Sequence, residues 1–424
     1  MEHAIPASAL GARTEAAAAA VAACVHCGFC LSTCPTYRVL GQEMDSPRGR
    51  IVLMKEVLEG KLEAEAALPH IDQCLGCQAC VTACPSGVRY EELLLPFRAW
   101  AEEERRRGPV DRASRELIQR SLPAPGIFRR LTGLARYAKP LAGILPETMG
   151  AMLELAPEQL PPPVNLPAYT PATGTRRAKV ALLSGCVQQV LAPEINLATI
   201  RVLAKNGVEV VVPPNQGCCG ALAWHSGNES GAKDLAGHNL EAFPKDIDAI
   251  LTNAAGCGSG IAAYPLIFAG SEHESRAQEF AAQTQDVSVF LANLGLLEAP
   301  ALPEPVKLAY HDACHLAHAQ KVRAEPRQIL GQIGNLNLLE PADWEICCGS
   351  AGTYNLEHPE IAAQLGEQKL RNLAVTGASV VASGNIGCLT QLAATAARLD
   401  RPIKFLHTME VLDRAYRGQS LLAP

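Results

Sequence analysis

Residues 24–35 read Cys24-Val25-His26-Cys27-Gly28-Phe29-Cys30-Leu31-Ser32-Thr33-Cys34-Pro35, and residues 74–85 read Cys74-Leu75-Gly76-Cys77-Gln78-Ala79-Cys80-Val81-Thr82-Ala83-Cys84-Pro85. Each copy follows C-x2-C-x2-C-x3-C-P, and together they hold eight of the chain's 16 cysteines. Pro85 to Gly185 carries none, and the remaining eight fall between Cys186 and Cys388. A disulfide-stapled secreted scaffold does not suit this pattern, because such scaffolds are small and follow an export signal. The N-terminus opens Met1-Glu2-His3 without a basic region, and Arg13 and Glu15 precede the run Ala16–Ala20, so no signal core is expected.

The 424 residues carry 37 Lys and Arg against 43 Asp and Glu, a net charge of −6 that argues against a dedicated nucleic-acid binder. With 48% hydrophobic residues the chain can bury a real core, and its length suggests about two to four domains. Long uncharged windows are broken by residues such as Gly256, Gly258, Gly260 and Pro265, so no membrane-spanning helix is expected. The expected location is cytoplasmic, where thiols stay reduced and clustered cysteines mean metal or redox chemistry. Any attachment to the cytoplasmic face of a membrane would be peripheral or through a partner.

The doubled N-terminal motif has the spacing that bacterial ferredoxins use to hold [4Fe–4S] clusters. Three thiolates two residues apart wrap three corners of a cubane, and the turn into the following Pro carries the fourth to the other cluster. Cluster one then takes Cys24, Cys27, Cys30 and Cys84, and cluster two takes Cys74, Cys77, Cys80 and Cys34. A pair of zinc sites is the competing reading, but it leaves the third Cys and the Cys-Pro of each copy unexplained. Between the motifs, Ser46-Pro47 gives a helix start, and Ile51, Met54, Val57 and Leu58 recur at helical spacing up to Gly60. Arg38, Arg48, Arg50 and Arg89 either offset the charge of thiolate-bound clusters or are ordinary surface arginines.

From about Glu91 to Arg177 the pattern predicts connecting helices, then an exposed linker through Leu160-Pro161-Pro162-Pro163 and 167–177. Arg105-Arg106-Arg107 is read as a solvated helix face ahead of an anion-contacting patch. Beyond it, residues 178–270 and 306–400 repeat one plan. The first copy runs strand 179–184, Cys186, helix 193–205, strand 208–212, Gly217-Cys218-Cys219-Gly220, a helix, then strand 249–252 into Cys257. The second runs Lys307-Leu308-Ala309-Tyr310-His311-Asp312-Ala313-Cys314, a helix from about Pro326, strand 336–339 and Ile346-Cys347-Cys348-Gly349. Helix 359–375 and strand 378–382 then lead into Cys388.

Strand–helix alternation of this length predicts a parallel sheet with helices on both faces, and each thiol falls just beyond a strand's carboxyl end. Two lobes facing across a pseudo-twofold axis would bring their cysteines to one crevice. Cys186, Cys218, Cys219, Cys257, Cys314, Cys347, Cys348 and Cys388 are candidate ligands of a cluster or of zinc, with a redox disulfide or inert buried thiols as alternatives. The glycine after each Cys-Cys pair would let backbone amides approach sulfur. His225, His311, His315 and His318 are either ligands or proton carriers, or ordinary packing residues.

On Cys24–Tyr37, Asp45-Ser46-Pro47-Arg48-Gly49-Arg50-Ile51, Tyr310–His315 and Glu345–Gly349, nearly the whole chain resembles the iron–sulfur subunits that join a two-cluster ferredoxin module to two cysteine-rich CCG domains. Within that group it looks most like the glycolate oxidase iron–sulfur subunits. The resemblance implies an α+β and α/β multidomain fold: a helical two-[4Fe–4S] module at 1–100, a helical connector and linker at 101–177, and CCG domains at 178–300 and 301–424. It also implies flavin-bearing partners that carry FAD and oxidise glycolate to glyoxylate, with electrons passing onward to a quinone or other membrane acceptor. The chain has no Gly-rich dinucleotide fingerprint of its own. The same architecture serves lactate utilisation, anaerobic glycerol-3-phosphate oxidation and heterodisulfide reduction, where the CCG half can itself be catalytic. Heterodisulfide reductases end the CCG motif in Cys-x-x-Cys; here Ala254 and Asn385 stand at the first of those positions, so each lobe keeps four thiols.

Overall fold

The computed structural model describes residues 1–423. Short helices build the N-terminal part: Thr14–Ala23, Pro35–Leu40, Pro47–Leu58, Ala64–Asp72, Ala79–Thr82 and Glu91–Glu104. Ser46 Oγ accepts from Gly49 N at 3.0 Å and caps Pro47–Leu58, as the Ser-Pro signal predicts. The cysteine loops hang from helix ends. Cys24 directly follows Thr14–Ala23, and Cys74 comes two residues after Asp72; Cys34 is the residue before Pro35–Leu40. The apolar faces of these helices, with Val21, Ile51, Met54, Ile71, Leu93 and Phe97, close one core behind the loops.

Helices Pro109–Ser121, Pro125–Ala138 and Glu147–Leu155 connect to the larger half. The expected linker is extended for much of its length, but Tyr169–Thr170 (β1) joins the first sheet antiparallel, Tyr169 opposite Val211. Two residues among prolines give no alternation to read, so only the neighbouring strand's free edge defines them as a strand.

Both lobes are α/β. The first holds β2 (Ala178–Leu182), β3 (Val208–Val211), β4 (Ala249–Thr252) and β5 (Thr284–Asp286), and its sheet order is β1-β3-β2-β4-β5. The second holds β6 (Ala301–Tyr310), β7 (Gly334–Leu339), β8 (Val380–Ser383) and β9 (Lys404–His407), ordered β7-β6-β8-β9. All pairings except that of β1 are parallel, for instance Val180 opposite Ala249 and Leu308 opposite Val380. The two orders are the same once β1 is set aside, which is how a duplicated domain should look. Each lobe also gains a fourth strand, β5 or β9, that the periodicity did not announce, and β6 begins earlier than expected.

Alternation along the central strands shows both faces covered. Val180 and Leu182 point into a core shared by the lobes, and Ala181 and Leu183 into another with Trp224, Tyr264 and Phe280. Leu308 and Tyr310 enter the shared core while Ala309 faces Val381, Leu392 and Leu373. The lobes pack reciprocally: helix Glu194–Lys205 of the first lies on Thr408–Tyr416 of the second, and Val287–Leu294 lies on Ala324–Leu330. The helix after each lobe's first strand thus meets the helix after the other's fourth strand, a pseudo-twofold arrangement. Arg201 seals one of these contacts with two bonds to the buried Asp413 carboxylate, at 2.9 and 2.7 Å.

Candidate iron–sulfur and metal centres

The two cysteine loops of the N-terminal part have unlike surroundings. Cys27 is exposed, and Val25 and Phe29 beside it are each 65% exposed. The second loop is covered: Leu75, Cys77 and Ala79 pack with Cys314, Ile346, Cys347 and Tyr354 of the second lobe. Thr82 Oγ1 pairs with His318 Nδ1 at 2.9 Å across the same seam, and Arg98 ties the Cys74 carbonyl to that of His225.

Of the four arginines singled out, Arg50 is the one buried among the thiols, while the partly exposed Arg48 borders the first loop and donates to His26 O at 3.1 Å. Arg50 is 1% exposed, its Nε donates to His70 O at 2.7 Å and its Nη1 to Thr36 Oγ1 at 3.0 Å, with Cys34 Sγ 3.9 Å away. Burial works against its charge, yet Cys74, Tyr90, Cys34 and Asp45 raise its pKa and keep it a cation. Burial likewise pushes the Cys74 thiol up, but Arg50, Arg98, the Gly76 amide and the Tyr90 hydroxyl prevail and lower it. Burial raises Cys77 and Cys80, and it pushes Cys30 up to about 11. Arg48, Arg38 and Arg89 instead pair with Glu43, Asp343 and Glu92. Arg105 and Arg107 are likewise bound to Asp72 and Glu102.

Each lobe gathers its four thiols beyond the strand ends. In the first, Cys186 Sγ lies 3.2 Å from Cys218 Sγ, and the free Cys219 thiol neighbours those of Cys218 and Cys257. Bonds from Cys186 and Cys219 hold Cys218 low, while Cys186 and Cys219 are raised. In the second, Cys314 Sγ lies 3.8 Å from Cys347 Sγ, and Cys348 is held low by Cys347 and Cys388 and, more weakly, by His311. Cys257 and Cys388 sit in the first turns of helices Ala255–Ala262 and Ile386–Arg398, and the hydrogen bond with Cys348 together with burial pushes the Cys388 thiol up. The two groups flank one seam as separate sets, and the thiol–thiol bonds stay within each lobe. Ser259, two residues past Cys257, bonds His315 Nδ1 at 2.5 Å beside Cys314.

Gly220 and Gly349 both adopt left-handed backbone, φ +77° and +89°. A Cβ at Gly349 would stand 2.5 Å from the Ala362 carbonyl, and at Gly220 3.2 Å from that of Ala232. The glycines serve the tight turn and the close helix behind it, and in the first lobe the Gly220 amide also approaches the Cys218 sulfur and helps hold that thiol low, as expected.

The four histidines separate by environment. His318 is fixed between Thr82 and the Glu345 carbonyl and stacks on Trp344. His225 and His315 face each other with ring centroids 5.0 Å apart, and burial lowers both, His315 to about 4. His311 is the one that meets thiols. Sequence reading missed Tyr90, whose hydroxyl reaches Cys74 Sγ at 3.9 Å, and Asn385, whose Nδ2 donates to Cys388 Sγ at 3.3 Å. Asn385 was visible only as a departure from Cys-x-x-Cys, and Tyr90 by no pattern at all.

Comparison with known proteins agrees with this division. A 4Fe-4S dicluster domain matches residues 20–88, and a cysteine-rich domain matches twice, over 180–262 and 308–393. The chain is 37% identical over 414 residues to the glycolate oxidase iron-sulfur subunit of Escherichia coli (strain K12), covering 95% of this chain and 96% of that one. A probable glycolate oxidase iron-sulfur subunit of Bacillus subtilis (strain 168) is 34% identical over 92% of each. Lactate utilization protein A of Shouchella clausii (strain KSM-K16) is 31% identical over 55% of this chain and 98% of its own length.

Proposed function

Since the chain belongs to the family of glycolate oxidase iron–sulfur subunits, we propose that it relays electrons from a flavin-bearing partner, where glycolate becomes glyoxylate, to a quinone-type acceptor. It is then a non-flavin subunit of an oxidoreductase of the glycolate dehydrogenase type. Clusters bound at the two N-terminal loops would supply one-electron transfer, which a flavin partner needs to pass on its electron pair. The observation that carries this reading is the contrast between the two loops. One, at Cys27, is open to a docking partner; the other, at Cys77, is closed beneath the lobes.

The thiol assignments follow the spacing: Cys24, Cys27, Cys30 and Cys84 for one cluster, and Cys34, Cys74, Cys77 and Cys80 for the other. The chain's own residues then hold, neutralise and dry the site. Arg50 offsets thiolate charge around the second cluster, and Leu75 and Ile346 exclude water from it. The eight later thiols are candidate ligands of a further cluster or of zinc. Residues 1–100, 101–177, 178–300 and 301–424 serve as working domain limits. No helix among the described residues is long and apolar enough to cross a membrane, in keeping with peripheral attachment on the cytoplasmic side.

Purifying the chain with its partners and assaying glycolate, D-lactate and glycerol-3-phosphate against a dye acceptor tests the proposal. Glycolate is expected to be oxidised fastest. Activity with D-lactate alone would overturn the substrate and favour the lactate-utilisation reading, which the full-length match of those shorter relatives keeps in view.

A further inference from the structure

We propose that His311 is a nitrogen ligand of a single tetrahedral metal ion in the second lobe, of the zinc class, held together with Cys348 and Cys388. The inference rests on the reading of the later thiols as metal ligands and goes beyond it in naming the imidazole and the kind of ion.

His311 is 1% exposed, neither ring nitrogen has a well-formed hydrogen bond among the described residues, and the ring acts on the Cys348 thiol. A neutral imidazole has one donor and one acceptor, and leaving a buried ring nitrogen without a good partner is costly. Its position is nonetheless fixed. Its backbone N–H donates to the Ala382 carbonyl at 2.8 Å, and the next residue, Asp312, is gripped by Arg327 at 2.8 and 2.7 Å. A ring nitrogen of His311 and the Cys348 and Cys388 sulfurs all lie within 4.8 Å of one another. Zinc bonds of about 2.0–2.3 Å at tetrahedral angles put such donors about 3.5–3.8 Å apart, so one ion placed among them would satisfy all three with small adjustments. Asn385 Nδ2, bonded to Cys388 Sγ at 3.3 Å, supplies the outer hydrogen bond that orients a metal-bound thiolate.

The first lobe lacks this feature. Three residues before Cys186, where His311 stands relative to Cys314, the chain has Leu183, buried in an apolar cluster. The duplication has therefore kept the thiols and diverged in the nitrogen, leaving the lobes with sulfur-only and mixed donor sets.

Metal analysis and X-ray absorption at the zinc and iron edges of the full-length protein, purified anaerobically, test this. Zinc with nitrogen as well as sulfur in its shell is expected, beside iron matching two cubanes. His311→Ala is expected to weaken Zn(II) retention against a chelator by more than about tenfold, with iron content and the EPR of the reduced clusters unchanged. His311→Cys should restore retention without the nitrogen signal, and it stands in if the alanine variant fails to fold. Wild-type retention in His311→Ala, or a sulfur-only zinc shell in the wild type, overturns the role of His311 and leaves the thiols as ligands. Iron bound by these residues overturns the single ion. A wild type holding no metal beyond the two cubanes overturns the metal reading of the later thiols as well.

Discussion

Arg50 shows how a single side chain ties stability to redox tuning. Its guanidinium is buried beside Asp45, itself 2% exposed, at 3.6 Å, and beside the Cys34 sulfur. Arg50→Met leaves the Asp45 carboxylate to His70 alone and is expected to cost about 3 kcal/mol, measured by urea denaturation. It also removes a cation that favours the reduced, more negative cluster, so the potential of that cluster should fall by on the order of tens of mV. Arg89→Met, which removes an exposed pair with Glu92, is the control expected to move neither quantity much. Equal potentials in all three proteins, read by EPR-monitored titration, would remove Arg50 from the electrostatics of the site. The sequence offered four such arginines as equals. Burial, which no local pattern encodes, separates them.

At the scale of the element, the Cys-Cys-Gly turns join strand to helix under steric pressure. Gly349→Ala combines the cost of left-handed backbone with a Cβ driven against the carbonyl of Ala362 on helix Pro359–Val375. A loss above about 3 kcal/mol is expected. Gly220→Ala, which meets its carbonyl at a longer distance, should cost less, nearer the conformational penalty of about 1 kcal/mol. Thermal unfolding of the two variants side by side checks the order; equal losses would mean the packing behind Gly349 gives way freely. Sequence reading found helix Pro359–Val375, whose apolar residues repeat, and strand β4, whose run is continuously apolar. It missed β5 and β9, of three and four residues, which exist because β4 and β8 leave an edge to pair with and because the Asp286 and His407 side chains start the next helices.

Across the whole molecule, one group at the seam between the lobes must stay neutral. His407 is 1% exposed, and its Nδ1 accepts from Met409 N at 3.1 Å to cap helix Thr408–Tyr416, whose face packs on the other lobe. Burial lowers its pKa to about 4, with the carbonyls of Asn253 in one lobe and Gly384 in the other opposing the shift. An imidazole whose folded pKa lies below its unfolded value takes up protons on unfolding. The stability it contributes is therefore present above about pH 6.5 and is lost as pH falls towards 4, by up to about 3 kcal/mol. His407→Asn keeps a capping oxygen and removes the titration. Urea midpoints followed by tryptophan fluorescence should fall less steeply between pH 7 and pH 5 in this variant than in the wild type. Identical slopes would show that His407 does not link the lobes to pH.

Eight thiols at ferredoxin spacing, a duplicated strand–helix plan and the ordering of its cysteines were all legible along the chain, because ligand loops and alternating layers impose short, repeated periods on sequence. Which loop faces outward, which arginine lies among the thiols and which of four histidines meets sulfur were decided only by folding. Those outcomes depend on contacts between residues hundreds of positions apart, such as Thr82 with His318 and Cys77 with Cys314. Such contacts arise when separate apolar faces are buried together, and they leave no period in the sequence to read.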